Sequence, residues 1–147
     1  MISRKRRTWC REDGQRGERR VSEIQRVGTS VRWADLVVHG GVARWVEVAE
    51  DMSLDARGQI AQVLNQIDAT LASFGGQRTD LLQVMIYVTD LGNAPVLNEL
   101  WDAWVPAGQP PVRAMVQVGL AGTYKVEMVI TAAAADRETH SSRPEGC

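Results

Sequence analysis

At 147 residues the chain has room for one domain, and an apolar share of 44% supplies a core for it. The net charge of −1 hides an asymmetry: residues 1–20 hold eight Lys and Arg against three acids, for +5, which leaves −6 for residues 21–147. An acidic domain is a poor surface for nucleic acid, no run approaches the ~18 apolar residues of a membrane span, and Cys10 and Cys147 lie in the two tails, where they frame neither a disulfide scaffold nor a metal site.

The basic arm, residues 1–21, lacks apolar periodicity and is dominated by charge and glycine, which predicts disorder. No apolar segment follows its basic residues, so it does not read as a secretory signal. A nucleic-acid tether would need a basic folded surface behind it, and a plain extension is the simpler reading. The single domain is expected over residues 22–135, a second disordered tail over 136–147, and the protein is expected in the cytoplasm.

The first strand pair is expected at Asp35–His39 and Val42–Val48, turning at Gly40 and Gly41. Ile60, Val63, Leu64, Ile67, Leu71 and Phe74 then recur at helical spacing, predicting a helix over Asp55–Ser73 that stops at Gly75 and Gly76. Its polar positions, Gln59, Gln62, Asn65, Gln66 and Asp68, read as a solvated face. Leu82–Thr89 is rich in β-branched and aromatic residues and reads as a central strand. A second helix follows over Ala94–Val105, with Asn93 as its N-cap and Pro95 in its first turn. Trp101 and Trp104 have the three-residue spacing of a buried helix face, in the core or at a subunit interface.

The last structured stretch, QPPVRAMVQVGLAGTYKVEMVI, holds two alternating runs, Val112–Val118 and Tyr124–Ile130. A turn over Leu120–Gly122 would make them an antiparallel hairpin in which Gln117 faces Lys125, Met115 faces Glu127 and Arg113 faces Val129. Arg113 and Glu127 would then share a face as diagonal neighbours, roughly 7 Å apart between α-carbons. Taken alone, such a pair reads as a cross-strand salt bridge. Pro110 and Pro111, however, fix the entry of the strand and hence the direction of Arg113.

The predicted order is β-β-α-β-α-β-β, an α+β arrangement with two helices on one face of a mixed sheet. The other face, expected to include Val129 and Met115, is left partly apolar, and oligomerisation is the usual remedy.

The segments RWADLVVH, LNQIDATLASFG, VMIYVTDL, NELWDAWVPAG, PPVRAMVQVGL and YKVEMVITAA, in this order over residues 24–134, resemble the reactive intermediate deaminase (Rid, or YjgF-like) family, in particular its YoaB-like branch. The resemblance implies a chorismate-mutase-like fold, a homotrimer with clefts between subunits, and no cofactor or metal. It implies that Arg113 binds the carboxylate of a 2-imino acid and that Glu127 holds the water attacking the C=N carbon. Asn98 would lie near the substrate. The implied activity is enamine/imine deamination, a hydrolysis giving a 2-oxo acid and ammonia. The alternative is a non-catalytic protein of the same fold that binds a small carboxylate, a 2-oxo acid or amino acid.

The chain departs from the family pattern at three places, where Trp33, Val46 with Glu47, and Met115 stand. Trp33 and Met115 are expected to shape the substrate pocket, and Glu47 to place a second carboxylate near it. Lys125 reads as a surface charge, and His39 and His140 are assigned no role. An endoribonuclease or translation inhibitor ranks third, because no histidine pair, acidic metal cluster or basic patch is evident.

Overall fold

A computed structural model describes residues 23–135; the basic arm, the C-terminal tail, Cys10, His140 and Cys147 lie outside them. The chain runs β1 (Gln25–Val27), β2 (Leu36–His39), β3 (Val42–Val48), α1 (Ala56–Ser73), β4 (Leu81–Val88), α2 (Ala94–Trp104), β5 (Val112–Gln117) and β6 (Val126–Ala133). Two single-turn helices, Arg78–Asp80 and Leu91–Asn93, precede β4 and α2. The six strands form one sheet in the order β1-β2-β3-β6-β4-β5.

Local chemistry sets the boundaries. Gly40 and Gly41 both have positive φ, 59° and 75°, as a tight two-residue hairpin requires, and they join β2 to β3. Asp55 caps α1 by accepting the Gly58 N–H at 2.8 Å. At the other end Gly75, at φ 77°, lets the Gly76 N–H reach Leu71 O at 2.8 Å and close the helix. Asn93 precedes α2, with proline in the first turn, but its side chain caps nothing; Asp90 instead accepts the Gly92 N–H, starting the short turn ahead of the helix.

Both helices pack on one face of the sheet. Ile60, Val63, Leu64, Ile67 and Leu71 of α1 and Leu97, Trp101 and Trp104 of α2 meet Trp45, Val84, Ile86, Met128 and Ile130, all buried. The apolar periodicity of the helices thus places the layer as expected.

The polar side of α1 differs from expectation. Gln59 is 0% exposed: Nε2 donates to Met52 O, Leu54 O and Thr123 O, and Oε1 accepts the Lys125 N–H. Gln62 accepts the Asp51 N–H, and Gln66 bonds Val48 O and the Glu50 N–H. These amides tie α1 to loops whose backbone groups would otherwise be left unpaired.

The expected hairpin of the last two strands does not form. β4 and β5 are parallel, joined by α2 as a crossover, and β6 inserts antiparallel between β3 and β4. Residues 118–125 therefore pass over the end of β4 rather than turning tightly, with Val118 N–H on Val88 O and Thr89 N–H on Lys125 O. The register aligns Arg113 with Val84 and Ile130 on the helix-covered face, and Glu127 with Tyr87 and Val48 on the other. Met115, aligned with Ile86, also lies on the helix side and packs against the core, so it does not belong to the open face.

On that open face Val46, Val129, Met85 and Ala114 form one apolar row across four strands. Val46 and Val129 are exposed. No helix among the described residues is long and apolar enough to cross a membrane.

Candidate functional site

Arg113 stands on β5, an edge strand entered through Pro110 and Pro111. Its Nη2 donates to Asn98 Oδ1 at 2.9 Å, and the guanidinium lies 5.3 Å from the centroid of the Trp101 ring. Asn98 and Trp101 are three residues apart on α2 and so share a helix face. The indole is 5% exposed and fixed in the core, whereas Arg113 is exposed and keeps N–H groups free of Asn98. A guanidinium held against an indole, with N–H groups to spare, can take a carboxylate through two parallel bonds.

α2 is itself anchored. Arg78 donates through Nε and Nη2 to the two oxygens of Asp68 on α1, both at 2.8 Å, and through Nη1 to Trp104 O at 2.9 Å. Trp104 Nε1 returns to Asp68 at 3.2 Å, and the Arg78 guanidinium lies 5.0 Å from the Trp104 ring centroid. The bond to Asp68 holds Arg78 above the ordinary arginine pKa. It pins the end of the helix that carries Asn98 and Trp101.

Glu127 belongs to a different neighbourhood. Half-buried on β6, it lines a groove of about 820 Å3 together with Trp33, Val46, Glu47, Gln66 and Tyr124. The groove follows β3 where β2 no longer covers it, since the β2 pairing spans only Val42–Arg44. Trp33, 63% exposed, is presented by a turn in which Ser30 Oγ accepts the Arg32 and Trp33 N–H groups and donates to Trp33 O. Glu47 points to the helix side of β3, where Gln66 and Thr70 donate to its carboxylate.

The five residues singled out in the sequence therefore fall into two groups. Arg113, Asn98 and Met115 gather on the helix face at the β5 edge; Glu127 and Trp33 share the groove. One intervening strand and a three-residue offset put the Arg113 and Glu127 α-carbons roughly 14 Å apart, taking a strand spacing of about 4.8 Å and a rise of about 3.3 Å per residue. Their side chains also leave opposite faces. The salt bridge and the shared-face geometry are both excluded within one chain.

Trp101 is the residue that reading for core alone missed. Its three-residue spacing from Asn98 was the available signal. Tyr124, in the groove beside Glu127, lies in the loop between β5 and β6, and its place at the head of the alternating run did not set it apart.

The family model described as Endoribonuclease L-PSP matches residues 20–134. The "RutC family protein YoaB" of Escherichia coli K12 is 40% identical over 111 residues, covering 75% of this chain and 97% of that relative. A crystal structure of a member of the YjgF protein family from Neisseria meningitidis superposes with a TM-score of 0.73 at 36% identity, covering 79% of this chain and 98% of that one. A structure from Salmonella typhimurium, called a putative translation initiation inhibitor, gives a TM-score of 0.71 at 39% identity, over 78% and 99% of the two chains. The chain belongs to the RutC/YjgF family, also called Rid.

Proposed function

We propose that the protein hydrolyses reactive 2-imino acids, in the cytoplasm, at sites assembled between subunits of a homotrimer. Arg113 of one subunit grips the substrate carboxylate, with Asn98 beside it, and Glu127 of the next holds the attacking water. The observation that carries this reading is the exposed Arg113 guanidinium, braced by Asn98 and Trp101. The placement of Glu127 on the opposite face, beside the bare row Val46–Val129–Met85–Ala114, supports completion of the site by a second copy.

The chemistry asks little of the protein. Water adds to the C=N carbon, a proton moves to nitrogen, and the carbinolamine collapses to a 2-oxo acid and ammonia. Positioning supplies most of the acceleration, because the imine is already electrophilic and needs no cofactor to react. An RNA substrate fits less well, since residues 21–147 carry −6.

Ammonia release from 2-imino acids generated in situ by an amino-acid oxidase tests the reading. The wild type should accelerate it, and Arg113→Ala should not. If a folded, trimeric protein accelerates release from no imine, the catalytic reading fails and a carboxylate-binding role replaces it.

A further inference from the structure

The groove that holds Glu127 is lined by three further carboxylates, those of Asp35, Glu47 and Glu50, none employed by imine hydrolysis, and Glu47 is the one held from the helix layer. Gln66 Nε2 donates to Glu47 Oε2 at 3.0 Å and Thr70 Oγ1 donates to Oε1 at 2.9 Å. Gln66 is fixed in turn, since its Nε2 also donates to Val48 O at 2.7 Å and its Oε1 accepts the Glu50 N–H at 3.0 Å. Each Glu47 oxygen thus has one partner and retains lone-pair capacity, on a side chain whose orientation is set from the helix layer.

The course of the groove connects this carboxylate to Glu127. Val48 pairs with Glu127 and Glu47 with Met128, so the two carboxylates leave opposite faces of neighbouring strands, and the groove passes over the uncovered edge of β3 between them. Trp33 and Val46 give that passage an apolar wall. Among the described residues no lysine or arginine lines it. A groove of about 820 Å3 lined by Glu127, Trp33 and Glu47 gives a ligand whose reacting carbon sits at Glu127 a course for its side chain past Trp33 towards Glu47.

We propose that Glu47 makes this site selective for imino acids whose side chain ends in a positive charge, an ammonium or a guanidinium. The inference rests on the imine-hydrolysis reading and adds a substrate class to it. A carboxylate in this position repels a second acid and gains nothing from a neutral chain, whereas a cationic end makes a charge-assisted bond to it. Glu47 is therefore a specificity residue, and its contribution belongs in KM more than in kcat.

The test compares imines of arginine and lysine with those of leucine and methionine, generated in situ, on the wild type and on Glu47→Gln. Isothermal titration with the 2-oxo acids of arginine and leucine runs in parallel and needs no turnover. The wild type should favour the basic substrates by about tenfold or more in kcat/KM, which corresponds to one charge-assisted contact. Glu47→Gln should lower kcat/KM for the basic substrates and bring them to parity with the neutral ones. Thr70→Val, which removes one donor but keeps the charge, should preserve the preference. Equal treatment of basic and neutral ligands by the wild type, or a preference that survives Glu47→Gln, overturns the proposal. If no imine is hydrolysed, yet the basic 2-oxo acid binds better and loses that advantage in Glu47→Gln, the hydrolytic reading fails while the selectivity stands.

Discussion

The Arg113 guanidinium lies 5.3 Å from the centre of the Trp101 indole, and Asn98, one turn earlier on the same helix, accepts one of its N–H groups at 2.9 Å. Two side chains of α2 thus set the plane and the direction of a cation that stands on another element. Trp101→Leu should raise KM for a carboxylate substrate about fivefold to tenfold, matching about 1 kcal/mol of cation–π contact. Trp101→Phe should recover much of the loss. Parallel melting curves separate this effect from the cost of reshaping a buried site.

Asn98 offers a sharper contrast. Asn98→Ala removes a single neutral acceptor, whereas Asn98→Asp supplies a carboxylate that competes with the ligand for the same guanidinium. The aspartate variant should be the worse binder of 2-oxo acids, by about tenfold, although its fold is no less stable. Titration of both variants with one 2-oxo acid decides it.

Glu127→Gln keeps the shape of the groove and removes its charge. Ammonia release should fall by about 100-fold or more while 2-oxo acid binding persists. Loss of binding as well would remove the assignment of Glu127 to the water.

The separation of Arg113 from Glu127 within one chain makes a mixing experiment informative. Arg113→Ala and Glu127→Gln subunits, each inactive alone, should regain activity when unfolded and refolded together. For random assembly, about a quarter of the sites between neighbours would join an intact arginine to an intact glutamate. No recovery from mixed assemblies would remove one of the two groups from the site.

Gln59→Leu should destabilise the protein by about 3 kcal/mol, read from urea unfolding, because it strands three carbonyl groups and one N–H that the amide now satisfies. Two of those groups, at Thr123 and Lys125, flank Tyr124, so the loop beside Glu127 should loosen together with the helix.

The fate of Gln59 also shows where sequence stops being informative. Helix boundaries were legible because 3.6-residue periodicity and glycine stops are local, and α1 begins one residue from the expected position. Residue type places a glutamine on the surface by default, and only the unpaired backbone of a loop distant in sequence makes burial favourable. Strand partners pose the same difficulty. Alternation reveals the faces of β5 and β6 but not their neighbours, so a tight hairpin and a six-strand sheet with β6 inside it satisfy one pattern equally. The nearly unbroken apolar reading of Val126–Ala133 was the clue to a central strand. Of the candidate site, the residue identities were legible, whereas their grouping depended on that strand order.

The position of β6 has a consequence for biosynthesis. β3 and β4 are not neighbours in the sheet; among the described residues β6, the last strand in chain order, alone joins β1-β2-β3 to β4-β5. A nascent chain emerging from the ribosome therefore holds two incomplete half-sheets until about residue 133 is available, and a chain cut short before Val126 never unites them. Glu127 lies on that closing strand. A product that ends before Val126 lacks both the seam and the groove carboxylate.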